Sequence, residues 1–209
     1  HYTHGAGYYE QYKCDAKFSA YGLDNYINVA GEEIKRSDLV RQKHLGNHFY
    51  GGVAAINYRN SQVQASLGGG ANNYNGNHWG NVIWLRNYPL PTEKDYEYYR
   101  SRGDKFDANI YVKANWEIIQ GLNLYGDLQY RHIDYKIKGI NDEDLSELDV
   151  HKTYNFFNPK AGISYVHQGH TGYFNFAVAN REPSRANFTE AGVNDIPLPE
   201  RLYDYEFGY

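Results

Sequence analysis

The chain has 209 residues, which fixes no domain count, and its net charge of -4 leaves no basic footprint, which excludes nucleic acid as a partner. Its 23 Tyr, 9 Phe and 3 Trp sit beside 21 Gly and no Met at a mean hydropathy of -0.78, a mixture that suits a thin two-faced sheet better than an aliphatic core. The single Cys14 excludes an internal disulfide framework and a multi-cysteine metal site, and no run approaches the ~20 apolar residues of a spanning helix.

In chain order, residues 2–12 read as a first strand, followed by a long polar connection, 13–47. Within it, Ser37 before Asp38-Leu39-Val40-Arg41-Gln42-Lys43 predicts a short capped helix. Segments 48–59 and 62–74 alternate apolar and polar and are separated only by Asn60-Ser61, so they predict an antiparallel hairpin. A second long connection, 75–105, holds Trp79, Trp84, Tyr88, Tyr96, Tyr98 and Tyr99. Rings flanked by Asn suit recognition of a sugar or a planar chelate; the alternative is that they pack the loop on itself. Beside them His78 is a candidate to touch an incoming iron or haem group. The candidate ligand-binding set is therefore His78, Trp79, Trp84, Tyr96, Tyr98 and Tyr99.

The strongest alternation follows at 106–116, where Phe106, Ala108, Ile110, Val112, Ala114 and Trp116 interleave with Asp107, Asn109, Tyr111, Lys113 and Asn115. It recurs at 122–131 after the short connector Ile118 to Gly121, giving a second hairpin. Connection 137–153 crowds Asp142, Glu143, Asp144, Glu147 and Asp149 together, without the spacing or central glycine of an EF-hand, and reads as a solvated charge run. A third hairpin pairs 154–166 with 171–181 across His167 to His170. After a last long connection, 182–200, the alternation of Tyr203, Tyr205 and Phe207 with Asp204 and Glu206 predicts a final strand at 201–209.

Short and long connections alternate strictly along this series of eight strands. Several loops beyond ~12–15 residues are foreign to a compact soluble domain, but they are the rule in a transmembrane barrel, with short turns on one side and long loops on the other. Tyr58, Trp116 and Tyr165 fall on the apolar phase just before the three short turns, where an interfacial aromatic girdle belongs. Asp107, Lys113, Asp127, Arg131 and Lys160 on the opposite phase are too many charges for the inside of a small closed barrel and imply a wide, wet or plugged lumen. The fold expected is all-β: an antiparallel up-and-down meander of about eight strands. The rival is a soluble secreted β-rich protein that binds carbohydrate or acts in adhesion. The nine His are scattered, and no acid, base or nucleophile set stands out, so neither an enzyme nor a resident metal or cofactor is expected.

Several segments are similar to one known family. His4-Gly5-Ala6-Gly7-Tyr8-Tyr9-Glu10, Ser37-Asp38-Leu39-Val40, Gly76-Asn77-His78-Trp79-Gly80 with Val82-Ile83-Trp84, Asp127-Leu128-Gln129-Tyr130-Arg131 and Phe157-Asn158-Pro159-Lys160-Ala161-Gly162 resemble TonB-dependent receptors of the Bacteroidetes type. The clearest likeness is Phe176 to Arg185, with Asn180-Arg181-Glu182-Pro183-Ser184-Arg185, then Pro199-Glu200-Arg201-Leu202 and Tyr205-Glu206-Phe207-Gly208-Tyr209. It looks like the family's late-barrel motif, which makes Asn180, Arg181, Glu182, Pro183, Glu200 and Arg201 candidates for a structural or gating role.

The resemblance implies that 1–209 is part of a barrel of about 22 strands in the bacterial outer membrane. Its partners would be outer-membrane lipid, TonB, and a small-molecule or metal-chelate ligand. The chain opens without Met inside a strand-like segment, so the plug, the TonB box and the remaining strands are expected outside it. Family members import ferric siderophores, haem, cobalamin and oligosaccharides. Haem receptors of the family carry a His downstream of the Arg-x-Pro motif, and 182–200 holds none; a ferric siderophore is the first expectation and a glycan the next.

Overall fold

In the computed structural model, which describes residues 1–89, 92–190 and 196–209, the chain runs through β1 (Tyr2–Lys17), a 3-10 turn (Phe18–Tyr21), β2 (Tyr26–Ile27), β3 (Glu33–Ile34), β4 (Arg36–Arg59), β5 (Val63–Leu85), β6 (Tyr96–Ile119), β7 (Leu122–Ile140), β8 (Glu147–His167), β9 (His170–Arg181), α1 (Arg185–Thr189) and β10 (Glu200–Gly208). β1 and β4 to β10 form one eight-stranded antiparallel sheet in chain order, while β2 and β3 make a separate ribbon in the connection between β1 and β4. β1 and β10 are each paired on one side only among the described residues. All eight strands expected from the alternation are present, and the meander has no crossover.

Local chemistry explains the three short turns. Asn60 accepts from the backbone N–H groups of Gln62 and Val63 through Oδ1, at 2.9 and 2.7 Å, which is the side-chain turn Asn makes readily. Gln168 and Gly169 both take positive φ, as the type I′ hairpin turn requires. Gly121 has φ +84, and a Cβ there would collide with the Val166 carbonyl, so glycine is needed for conformation and for space.

The sheet is much longer than the alternation suggests. β4 begins at Arg36 rather than at 48, β5 runs to Leu85 rather than 74, β6 starts at Tyr96 rather than 106, and β7 and β8 fill most of 137–153. Three of the four long connections are thus largely paired strand, whereas the described part of 182–200 holds α1 and no strand before Glu200; residues 90–91 and 191–195 lie outside the described residues. The helix expected at Ser37 does not form. Ala16 and Leu85 pair with Ser37 and Leu39, and the Ser37 hydroxyl donates to the Arg86 carbonyl instead of capping a helix.

A change of phase accounts for the missed length. On β7, Leu124, Leu128 and Tyr130 are exposed on one face, whereas farther along Ile133, Tyr135 and Ile137 are buried on the other. Pairing with β8 continues without a shift from Leu122 to Ile140, so the strand goes on while its surroundings reverse. β8 does the same: Phe157, Ile163 and Tyr165 are exposed on one phase, and Leu148, Tyr154 and Phe156 are buried on the other.

The exposed apolar phase makes a band. Phe106 to Trp116 spans ten residue steps of β6, about 34 Å at ~3.4 Å per residue, or roughly 26 Å of height at a tilt of about 40°, which matches the apolar belt of a membrane barrel. Tyr58, Trp116 and Tyr165 are all exposed at its turn end. Beyond its other end the same face turns polar, with ion pairs Lys136–Asp134 at 3.2 Å and Lys138–Asp149 at 3.4 Å, as expected of strand standing in water.

The buried residues form two clusters on the inner face of these overhanging strands. One gathers Leu39, Val82, Tyr98 and Tyr99 beneath Phe18, Tyr21 and Leu23. The other gathers Ile133, Ile137, Tyr154 and Phe156 with Phe188 of α1. Both connections fold inward over the sheet, which is why the apolar phase switches to the inside there.

Candidate functional site

Between the two clusters the inner face stays open. Cross-strand register places Leu45, His78 and Ser101 in one row and Lys43, Gly80 and Tyr99 in the next. A cleft of about 560 Å³ lies over this floor, lined by Gly5, Tyr9, Lys43, His78, Tyr99 and Asp142. Gly7 and Gly103 have nothing within 4 Å of where a Cβ would stand, so at these points the backbone is uncovered, as in sites where a ligand approaches the main chain.

The cleft is polar and partly desolvated. Lys43 reaches Asp142 in the 141–146 connection at 2.6 Å, with side chains 12% and 23% exposed, so this pair is screened less than a surface one. Its ammonium also lies 5.9 Å from the Tyr99 ring centroid. Burial, and after it the charge of Arg185, lowers the pKa of His78, which stands on the strand beyond the apolar band. The imidazole is therefore neutral at pH 7.

The connection after β9 closes one side. Glu182 accepts from Lys105 and from Arg131 Nη1, the latter at 3.0 Å, while Arg131 also bonds Asp107 through Nε at 3.0 Å and Nη2 at 2.5 Å. These four side chains are about a quarter exposed or less. Two cations and two carboxylates balance one another, which is how charge is tolerated in a low-dielectric place. Ser184 then caps α1 in a capping box with Asn187, whose two side chains satisfy each other's backbone N–H. Phe188 packs edge-on to Tyr135 at 6.0 Å, Asn141 Nδ2 donates to the Thr189 carbonyl at 2.9 Å, and Arg185 Nη2 donates to Ser101 Oγ at 2.8 Å.

Of the six residues of the candidate ligand set, only His78 and Tyr99 come together in the lining of the cleft. Trp79 is on the outward phase, stacked on His44 at 4.9 Å with the Arg100 guanidinium 5.0 Å from its ring. Trp84 shares that phase and stacks on Tyr12 at 6.2 Å. Tyr96 donates its hydroxyl to the Gly22 carbonyl at 3.2 Å. Tyr98 and Tyr99 are only 7% and 5% exposed, covered by the inward-folding connection, with Tyr98 edge-on to Tyr21 at 4.9 Å. Strand pairing through 75–85 and 96–105 separates these rings onto opposite faces, and most of them serve packing.

The late-barrel motif splits as well. Asn180 and Arg181 pair with Arg201 and Glu200 on β10, through Arg201 Nε to Asn180 Oδ1 at 2.9 Å and Arg181 Nη2 to Glu200 Oε1 at 2.7 Å. Glu182 and the buried Pro183 turn the chain inward. Lys43, Ser101, Asp142 and Arg185 were not singled out as site residues from sequence. Arg185 alone carried a signal, since it closes the motif in which Glu182 already stood.

A family model described as TonB dependent receptor-like, beta-barrel matches residues 1–209. No curated protein matches the chain.

Proposed function

The chain belongs to the family of TonB-dependent receptor β-barrels, and on that premise we propose that its inner face carries the ligand cleft of an importer of ferric siderophores. Members of the family are transporters of the bacterial outer membrane that take up small ligands with TonB as their partner, and this gives the chain its setting. The band of exposed apolar side chains then faces lipid, the overhanging strands face the outside, and the inner face lines the passage.

The eight strands are proposed to be one arc of a barrel of about 22. Unpaired strand edges are not tolerated in hydrocarbon, so β1 and β10 need neighbours beyond those they have in the sheet. Charged inner residues such as Lys113 and Asp127 also exceed what eight strands could enclose.

The composition of the cleft carries the choice of cargo. A glycan is gripped by exposed rings, but Tyr98 and Tyr99 are buried and Trp79 and Trp84 lie on the outward phase. What the inner face offers is the Lys43–Asp142 pair, His78 and the nearby charge of Arg185, a set whose summed charge is positive and favours a chelate bearing negative oxygen atoms. Deleting the gene and supplying iron as several siderophores, then haem, cobalamin and glycans, tests the reading. Loss of growth on ferric siderophores alone is the expected result; loss confined to a glycan would replace the cargo, and no loss on any nutrient would sink the proposal.

A further inference from the structure

We propose that the outward face of the sheet carries a site for a single glycerophospholipid, with an acyl chain seated in a hollow over Gly172 and the headgroup at His167 and His170. The site lies on the lipid-facing band, not in the lumen, and does not depend on which cargo is carried.

Gly172 is a glycine that the backbone does not require. Its φ is not positive, and a Cβ there would meet nothing closer than the Gly208 carbonyl at 4.0 Å. Register sets it in one outward row with Leu122 and Tyr165, next to the row of Leu124, Ile163, Phe174 and Phe207. At the other two short turns the residue facing the girdle aromatic carries a side chain, Ala65 against Tyr58 and Leu124 against Trp116. Here no side chain faces Tyr165, and a hollow of about 490 Å³ opens, with Leu122, Ile163, Tyr165, Phe174 and Tyr209 among its walls. That volume falls within the roughly 300–1,000 Å³ of small-molecule sites.

Its surroundings name the occupant. Ile163, Tyr165 and Phe174 are exposed on the face of the apolar band, so the hollow is continuous with the surface that meets lipid. Lipid tails are as apolar as the side chains, so no hydrophobic force draws one in; an unfilled hollow, however, forfeits dispersion contacts that an acyl chain restores. The polar end stands at the turn. His167 and His170 are cross-strand partners in the last pair before it, and both line the hollow. His167 stacks on Tyr165 at 5.9 Å, and His170 Nδ1 lies 2.6 Å from the Tyr209 hydroxyl. Imidazole and phenol groups can donate to a phosphate, and no carboxylate among the described residues lines the hollow to repel one. Short turns stand on the periplasmic side of a barrel, so the lipid belongs to that leaflet.

The test uses the complete receptor, extracted from its own outer membrane in mild detergent and weighed with its bound lipid by native mass spectrometry. The wild type should keep a glycerophospholipid through washes that strip boundary lipid. Once delipidated, it should rebind dipalmitoyl phosphatidylethanolamine from mixed micelles in preference to lipid A. Gly172→Leu fills the hollow and should lose this lipid, whereas Gly126→Leu, on the outward phase of β7 and equally open at its Cβ, should keep it. Replacing His167 and His170 together by Ala should weaken rebinding about tenfold, the scale of a hydrogen bond to a charged group. If Gly172→Leu fails to assemble, judged by loss of the heat-modifiable folded band, Gly172→Ala narrows the hollow and should show a partial loss. Equal retention in the wild type and the Gly172 variant would mean boundary lipid only and overturn the inference. So would a wild type that leaves the wash bare, an unchanged double-histidine variant, or retention of lipid A instead of the phospholipid. A second copy of the chain that departs on Gly172→Leu would make the hollow an interface between copies and overturn it too.

Discussion

Arg131 sits at the centre of the charge that this sheet keeps inside, bonded to both Asp107 and Glu182. Removing one member of such a group strands the others, so Arg131→Ala should lower stability by about 2–4 kcal/mol, less than a fully buried network would lose because its side chain is a quarter exposed. Arg181 and Glu200 make an ion pair of similar length, 2.7 Å, but with side chains 71% and 68% exposed. Glu200→Gln should therefore change stability by less than about 0.5 kcal/mol. Chemical unfolding of the two variants in one lipid system checks the contrast; equal effects would mean that Glu182 and its partners are solvated in the assembled protein.

At the scale of the element, β7 carries two environments on one uninterrupted strand. Leu128 is exposed within the apolar band, and Lys138, on the same phase, lies beyond it. Leu128→Arg should disfavour folding into bilayers by about 2–4 kcal/mol, the cost of a cation at mid-membrane on a lipid-facing site, whereas Lys138→Leu should be close to neutral. Reversible folding into lipid vesicles measures both, and a cheap Leu128→Arg would show that this phase does not face lipid. The reversal also explains why strands read from sequence stop early. Alternation is legible only while one face stays apolar, and between Tyr130 and Ile133 the apolar face changes sides.

For the whole molecule, assembly turns on the sides of β1 and β10 that are unpaired among the described residues. Each presents a row of N–H and C=O groups, an invitation to pair with another strand. The 209-residue chain refolded alone in detergent is therefore expected to associate edge to edge, seen by light scattering and by cross-linking of cysteines placed on β1 and β10. A monodisperse monomer with slowly exchanging amides along β1 would mean that these edges are satisfied within one chain. Inward folding of two connections is the other feature of this scale. Phe18 and Phe188 cap separate patches, and the cleft is what remains uncovered between them.

The sequence by itself determined the existence and order of the eight strands, the three short turns and the lipid-facing band. Each of these depends on neighbours in the chain: a period of two, an Asn or Gly at a turn, an aromatic residue before it. It also held the family likeness, spread over the whole length. Only the tertiary structure decided that Trp79 and Trp84 point away from His78, that Tyr98 is consumed by packing while Tyr99 reaches the cleft, that Lys43 meets Asp142, and that Ser101 meets Arg185. Those outcomes rest on contacts between residues as far apart as Lys43 and Asp142 or Ser101 and Arg185. No local pattern encodes such contacts, because side-chain burial on the inner face is set by which connection folds over it.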